Sequence, residues 1–179
     1  MGKLDDFGRD HFSLFGLTQT FALDTALLEQ RYRELQAKVH PDKHAHLPDA
    51  DKRLSMQWAT QANEAYQTLK HPLSRARYLL HLAGHDPRVE DNTAMPMDFL
   101  MEQMELRESV ADARVERNGE LLEDLHERLR RQIKAQHGAL AEDLDGRQDF
   151  AAASDRVRQL MFQEKLLQEI DDALEVVDA

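Results

Sequence analysis

The chain has 179 residues, with 34 acidic against 23 basic side chains, a formal net charge of −11 and no cysteine. The missing thiols exclude disulfide bonds, thiolate zinc sites, cysteine-held iron–sulfur clusters and cysteine nucleophiles, and they fit a reducing compartment such as the cytoplasm. The acidic start of the sequence predicts no secretory signal peptide, and no apolar run is long enough to span a membrane.

The charge is unevenly distributed along the chain. Residues 1–84 carry 11 basic and 10 acidic side chains, whereas residues 85–179 carry 12 basic and 24 acidic ones. Nucleic-acid binding needs Lys and Arg to neutralise phosphates, so the acidic half does not fit that function. We therefore predict that the two halves have different protein partners, and that neither nucleic acid nor a membrane is among them.

The first half is predicted to be helical. After a short apolar turn, "HFSLFGL", Asp24 can cap a helix that ends near Val39, because Pro41 forces the residue before it out of the helical region. A second helix, over residues 49–70, completes an antiparallel hairpin around the loop "HPDKHAHLP". A shorter helix begins at Pro72 and stops by Gly84.

The second half is predicted to be a three-helix bundle. The stretch "HDPRVEDNTAMP" has two prolines and little periodicity, which is typical of a linker. Helical patterns follow over about residues 97–117, 120–137 or slightly beyond, and 150–177, the last capped by Asp149, with "LDGRQD" as a turn. The inward residues predicted for the second of these helices are Leu122, Leu125, Leu129 and Ile133, and the third has the apolar stripe Ala153, Val157, Leu160, Leu167 and Leu174. Sparse Gly, Pro and β-branched residues make the whole chain all-α.

The histidine-rich loop raises the question of a metal or catalytic site. His40, His44 and His46 lie close together, but no carboxylate set is spaced for zinc and no His-Glu-x-x-His pair exists. The serines lack a nucleophile-elbow context and no glycine-rich phosphate loop is present. We predict no catalytic residue, no metal site and no cofactor; a histidine-based metallohydrolase is the alternative interpretation.

The segment His40-Pro41-Asp42 fits a fixed recognition element better. Pro41 locks its own φ, and Asp42 offers an acceptor-only carboxylate at the tip of the loop. Basic side chains flank it: Arg31, Arg33 and Lys38 lie outside the apolar stripe of the preceding helix, and Lys43 follows Asp42. Such a surface suits an acidic partner, whereas an ordinary solvated helix face is the alternative for the cations.

The sequence around this loop resembles a J-domain. "HPDK" stands between a helix ending "YRELQAKV" and a second helix containing "ANEAYQTLKHPLSRARY". The resemblance implies that His40, Pro41 and Asp42 stimulate ATP hydrolysis on a DnaK-class chaperone, with the basic flank meeting an acidic surface. His40 would then be a contact residue and not a general base.

The helix predicted over residues 97–117 has two apolar faces. Phe99, Leu106 and Val110 cluster on the side expected to face the core. The opposite side is apolar and edged by carboxylates, and comprises Leu100, Met101, Met104, Glu105, Glu108 and Asp112. A surface helix needs only one apolar face, so the second one indicates a binding surface. Phe162 can complete it if the last helix packs alongside; burial between the domains is the alternative.

A J-domain joined to a bundle containing "FLMEQMELRE" and "VRQLMFQEKL" is similar to the HscB family of co-chaperones. The resemblance implies a J-domain over residues 1–84 with an extension over residues 1–10, a linker over 85–96 and a scaffold-binding bundle over 97–179. It also implies that the bundle binds the iron–sulfur cluster scaffold IscU and presents it to the chaperone HscA. The implied scaffold contacts are Leu100, Met101, Met104, Glu105, Glu108, Asp112 and Phe162.

Two other functions remain open from the sequence. A general J-protein would deliver varied unfolded clients to a DnaK-class chaperone, and the bundle would bind assorted peptides. An oligomerisation module would pair the exposed apolar helix face with itself.

Overall fold

The fold is all-α, as predicted. A computed structural model of the protein describes residues 9–40, 42, 46–85 and 95–178, and every regular element in these ranges is helical. The helices are α1 (His11–Leu14), α2 (Thr25–Val39), α3 (Asp49–Lys70), α4 (Pro72–Leu82), α5 (Met97–Val115), α6 (Gly119–Ala141) and α7 (Phe150–Asp178). A π-helical turn, Glu142–Gly146, continues α6.

The chain forms two compact units, Met1–Leu79 and Leu80–Ala179. The partition into residues 1–84, 85–96 and 97–179 stays a prediction. Most of its extension and of its linker, residues 1–8 and 86–94, lies outside the described residues.

Local capping fixes the start of the hairpin in the N-terminal unit. The carboxylate of Asp24 accepts hydrogen bonds from the backbone N–H groups of Ala26 and Leu27 at 3.0 and 3.1 Å. These are donors that the first turn of a helix otherwise leaves unsatisfied. α2 therefore begins immediately after the predicted capping residue.

Aromatic packing holds α2 against α3 in this hairpin. The rings of Tyr32 and Tyr66 stack with their centroids 4.1 Å apart. Leu28 and Leu69 are fully buried in the shared apolar cluster. Burying a leucine side chain stabilises a fold by about 1.5–3 kcal/mol. This packing fixes the position of α2 relative to α3.

The C-terminal unit is a bundle of α5, α6 and α7 around an aliphatic core. The predicted inward residues of α6, namely Leu122, Leu125, Leu129 and Ile133, are all buried. On α7 the predicted stripe is correct up to Leu160 but wrong beyond it. Leu166 and Ile170 are fully buried where Leu167 and Leu174 were expected. Leu167 and Leu174 are half-buried instead. Leu166 lies about 100° around the helix from Leu167, so the buried face turns further along α7 than a seven-residue spacing assumes.

The predicted turn between α6 and α7 is wrong in detail. α6 runs to Ala141 and widens into the π-helical turn before Phe150 begins α7. The carboxylate of Asp143 is fully buried there and binds the guanidinium groups of Arg147 and Arg156. A π-helical turn adds a residue to the helical repeat, which directs Asp143 inward towards Arg156 of α7.

Among the described residues, no helix combines the length and the apolar character that crossing a membrane requires.

A stacked histidine gives the N-terminal unit a pH dependence. The imidazole of His11 stacks on the Tyr78 ring with centroids 4.3 Å apart, and the backbone N–H of His11 donates to the Tyr78 hydroxyl at 2.9 Å. Burial lowers the pKa of His11 below the usual 6.5, although the carboxylates of Glu64 and Asp10 act in the opposite direction. The folded state disfavours protonation of the His11 ring. The free energy of unfolding is therefore highest at pH values above the pKa that the ring has in the unfolded chain.

We expect the N-terminal unit to lose stability as the pH falls below about 6.5, the unfolded pKa of histidine. His11→Phe keeps an aromatic stack but removes the titrating group, so this variant should show a flatter profile. Urea unfolding between pH 7 and pH 5, followed by the fluorescence of the single tryptophan, Trp58, measures both proteins. Parallel profiles for the two would contradict the assignment to His11.

Candidate functional site

The loop after α2 presents a carboxylate to solvent. His40 leaves the helix in an extended conformation, with φ −60° and ψ 130°. Its Nδ1 atom accepts a hydrogen bond from the backbone N–H of Asp42 at 3.2 Å. The Asp42 side chain is 91% exposed. Pro41, Lys43 and His44 lie outside the described residues.

This hydrogen bond defines what each side chain can offer a partner. An imidazole nitrogen that accepts a hydrogen bond carries no proton, so Nε2 of His40 is the protonated nitrogen of the neutral ring and can donate outward. The Asp42 carboxylate is acceptor-only. The loop therefore offers one donor and one anionic acceptor, two residues apart and both facing water.

The three predicted cations of α2 are all exposed but do not share one face. Arg31 and Lys38 are seven residues apart and lie on the same side of the helix. Arg33 lies about 160° around from Arg31 and pairs with Glu29. The structure therefore groups Arg31 with Lys38 and leaves Arg33 on another side of α2.

The outward face of α5 carries the second predicted group. Met101 and Met104 are 54% and 70% exposed. Glu105, Glu108 and Asp112 are exposed alongside them, while Leu106, Val110 and Ala113 are buried on the opposite face. We call Leu100, Met101, Met104, Glu105, Glu108, Asp112 and Phe162 the α5 ridge.

Contacts between α5 and α7 show where Phe162 lies along the ridge. Arg107 pairs with Glu169 at 3.4 Å, and Arg117 donates to the carbonyl of Val177 at 3.0 Å. These contacts set the two helices parallel with an offset of 60 to 62 residues. The same offset brings Phe162 level with Leu100. Both side chains are half-buried, which suits the apolar end of a contact surface.

Sequence reasoning missed two features of α5. Met97 is 69% exposed and lies one turn before Met101, so it extends the apolar end of the ridge; the four-residue spacing of the methionines was the available signal. Gln103 is 4% exposed, and neither polar atom of its side chain has a partner among the described residues. Its spacing from Phe99 and Leu106, four and three residues, marks it as a core position.

The described residues contain no group of three or more His, Asp or Glu side chains placed to hold a metal ion. Of the three histidines in the loop, His40 and His46 are described and both are exposed.

Two family models match the chain, one in each half. A model described as the DnaJ domain matches residues 10–78, and one described as the HSCB C-terminal oligomerisation domain matches residues 95–171. A co-chaperone protein HscB homolog from Aromatoleum aromaticum is 53% identical over 173 residues, covering 97% of this chain and 98% of the relative. The homolog from an Azoarcus species has the same identity and coverage.

Solved structures are similar over nearly the whole chain. The chaperone HscB from Vibrio cholerae has a TM-score of 0.82 at 35% identity, covering 94% of this chain and 99% of the other. The human co-chaperone protein HscB has a TM-score of 0.86 at 31% identity, with 93% of this chain and 82% of the human chain covered.

Proposed function

The chain belongs to the HscB family of co-chaperones, and from that premise we propose that it delivers an iron–sulfur cluster scaffold protein of the IscU type to a DnaK-class chaperone of the HscA type. The α5 ridge binds the scaffold, and the His-Pro-Asp loop stimulates the ATPase activity of the chaperone. The observation that carries the proposal is that one chain exposes both an anionic loop tip, at Asp42, and a methionine-rich acidic ridge. In this function the protein performs no chemistry of its own and acts in the cytoplasm.

The loop acts by contact and charge. The exposed Asp42 carboxylate accepts hydrogen bonds from the chaperone, and the Nε2–H of His40 can donate one. Arg31 and Lys38, on one face of α2, meet an acidic surface of the chaperone. Exposed charges of this kind raise the association rate and set orientation more than they raise affinity.

The ridge supplies most of the scaffold affinity through its apolar side chains. Full burial of one methionine stabilises a complex by about 1.5–3 kcal/mol, whereas an exposed ion pair contributes about 1 kcal/mol or less. Met101 and Met104 are already partly shielded, so each contributes towards the lower end of that range. Carboxylates on the flank select a scaffold surface that is apolar and edged by Lys or Arg.

Joining the two surfaces in one chain couples the two partners. When the scaffold is bound at the ridge and the chaperone at the loop, the scaffold is held at a high effective concentration near the chaperone. ATP hydrolysis then traps the scaffold on the chaperone. Cluster release to an acceptor protein follows from that trapped complex.

We expect the double substitution Met101→Ala and Met104→Ala to weaken scaffold binding by at least about tenfold, because it removes two apolar anchors. Stability should change little, since both side chains are largely exposed in the free protein. Calorimetric titration with the purified scaffold measures the affinity. Met56→Ala is the matched control, because Met56 is 61% exposed on α3 in the other unit.

Two results would count against this use of the ridge. Easy unfolding of the double variant would mean that the methionines support the core, and an unchanged affinity would mean that the scaffold binds elsewhere. A similar loss in the Met56 control would show that any exposed methionine has the same effect.

Self-association is the second candidate use of the bundle. The family model that matches residues 95–171 is described as an oligomerisation domain, and an exposed apolar face can pair with a second copy. Light scattering across a range of protein concentrations separates the two. A stable dimer that the Met101 and Met104 substitutions dissociate would assign the ridge to self-association. A monomer at every concentration would favour scaffold binding at the ridge.

A further inference from the structure

A short basic stretch interrupts the acidic C-terminal half. Residues 95–179 contain 11 basic and 21 acidic side chains. Four of those basic residues, Arg128, Arg130, Arg131 and Lys134, fall within seven positions, and no Asp or Glu occurs between Glu127 and Glu142. Positive charge is therefore concentrated on one segment of α6.

This segment borders a groove between α6 and α7. The groove has a volume of about 470 Å³ and is lined by Glu127, Arg130, Arg131, Ile133, Lys134, His137 and Leu167. Ile133 and Leu167, the two aliphatic residues of the lining, are buried and half-buried and form its floor. None of the lining residues belongs to α5 or to the α5 ridge.

The cations at the rim are available to a ligand. Arg130 and Lys134 are exposed and make no ion pair with the residues that the structure describes. Arg131 contacts Glu127 at 3.7 Å, with both side chains 74% exposed. A pair this long and this exposed contributes little and exchanges readily for a better acceptor.

We propose that the α6–α7 groove binds an acidic peptide segment of a partner protein, with an aliphatic side chain of that segment on the Ile133–Leu167 floor. Carboxylates of the segment pair with Arg130 and Arg131, whose guanidinium groups bind a carboxylate through two parallel hydrogen bonds, and with the ammonium group of Lys134. The groove and the α5 ridge share no residue, so the segment and the scaffold can bind at the same time.

A nucleic acid fits this groove less well than a peptide. The screening length at physiological salt is about 8 Å, so a short acidic segment interacts mainly with the local rim. A longer polyanion would extend over the surrounding surface, where acidic side chains outnumber basic ones and repel it. The lining also contains no Phe, Tyr or Trp on which a base could stack.

Fluorescence anisotropy of the full chain tests the proposal. The probe is a fluorescein-labelled peptide of about twelve residues, rich in Asp and Glu and with two leucines. We expect saturable binding that weakens at least about tenfold in the double variant Arg130→Glu and Arg131→Glu. The matched control, Arg114→Glu with Lys165→Glu, changes the net charge equally at exposed residues that do not line the groove, and it should bind within about twofold of the unmodified protein.

A second peptide, with serine in place of both leucines, tests the aliphatic floor and should bind several times more weakly. Circular dichroism of each variant establishes that it is folded. The proposal is overturned if the unmodified protein shows no saturable binding, if both double variants lose affinity equally, or if a single-stranded oligonucleotide of the same charge binds more tightly. Titration of the scaffold protein is a separate readout, so failure here leaves the assignment of the α5 ridge unaffected.

Discussion

Replacing Asp143 by asparagine is expected to lower the unfolding free energy of the C-terminal unit by about 2–4 kcal/mol. The Asp143 carboxylate is fully buried and accepts hydrogen bonds from Arg147 at 2.6 Å and from Arg156. An amide of the same size keeps the volume but removes the charge that compensates both guanidinium groups. Breaking a buried ion pair costs about 3–5 kcal/mol; we expect somewhat less because the Arg147 and Arg156 side chains are 63% and 33% exposed.

The distribution of aromatic residues lets the two units be followed separately. The single tryptophan, Trp58, and all three tyrosines lie in the N-terminal unit. Trp58 fluorescence therefore reports that unit, while far-UV circular dichroism reports both. In Asp143→Asn the dichroism transition should shift to lower urea concentration and the fluorescence transition should not.

Asp124→Asn is the control for this substitution, because Asp124 is exposed on α6 and its change to asparagine should leave both transitions in place. An Asp143→Asn protein as stable as the unmodified one would show that the buried carboxylate is not what closes the α6–α7 turn.

The second large effect is expected at the loop, where Asp42→Asn should reduce stimulation of the chaperone ATPase by at least about tenfold, equivalent to about 1.4 kcal/mol. The amide replaces an anionic, acceptor-only group by a neutral one that also donates, so a contact made to the carboxylate is lost. Folding should be unaffected because the side chain is 91% exposed.

Steady-state ATPase assays of the purified chaperone, with increasing amounts of either co-chaperone, measure this effect. Scaffold affinity should stay within about twofold, since Asp42 lies in the other unit from the α5 ridge. Asp124→Asn is again the matched control. Near-normal stimulation by Asp42→Asn would remove the loop from the proposed mechanism.

The helices of the N-terminal hairpin were predictable because their limits are set by neighbouring residues. Asp24 caps α2, and Pro41 comes two residues after Val39, at which α2 ends. α3 and α4 begin after Pro48 and at Pro72. Capping and proline sterics act over a few positions, so sequence alone contains the information.

The features that sequence did not predict depend on residues from different helices. Asp143 is an ordinary acidic residue in the sequence, and it becomes a buried acceptor only when α7 brings Arg156 to it. The groove likewise needs Leu167 of α7 beside the cations of α6. Such pairings follow from how the helices pack, which a single sequence does not specify residue by residue.

The candidate sites lie between these two cases. Periodicity alone placed Met101 and Met104 opposite the buried face of α5, and the structure leaves both exposed. The position of Phe162 level with Leu100 depends on the α5–α7 register. From the sequence it could be predicted only on the condition that the last helix packs beside α5. The roles of these residues in scaffold binding, and of His40, Pro41 and Asp42 at the chaperone, stay predictions.

One measurement tests most directly whether this chain connects a scaffold to a chaperone: the steady-state ATPase rate of an HscA-type chaperone with the protein alone, with the IscU-type scaffold alone and with both. We expect the two together to stimulate the rate by more than the product of their separate effects, and substitution of Met101 and Met104 to remove that excess while leaving the effect of the protein alone. Equal stimulation with and without the scaffold, or the same excess with an unrelated unfolded protein, would contradict the account.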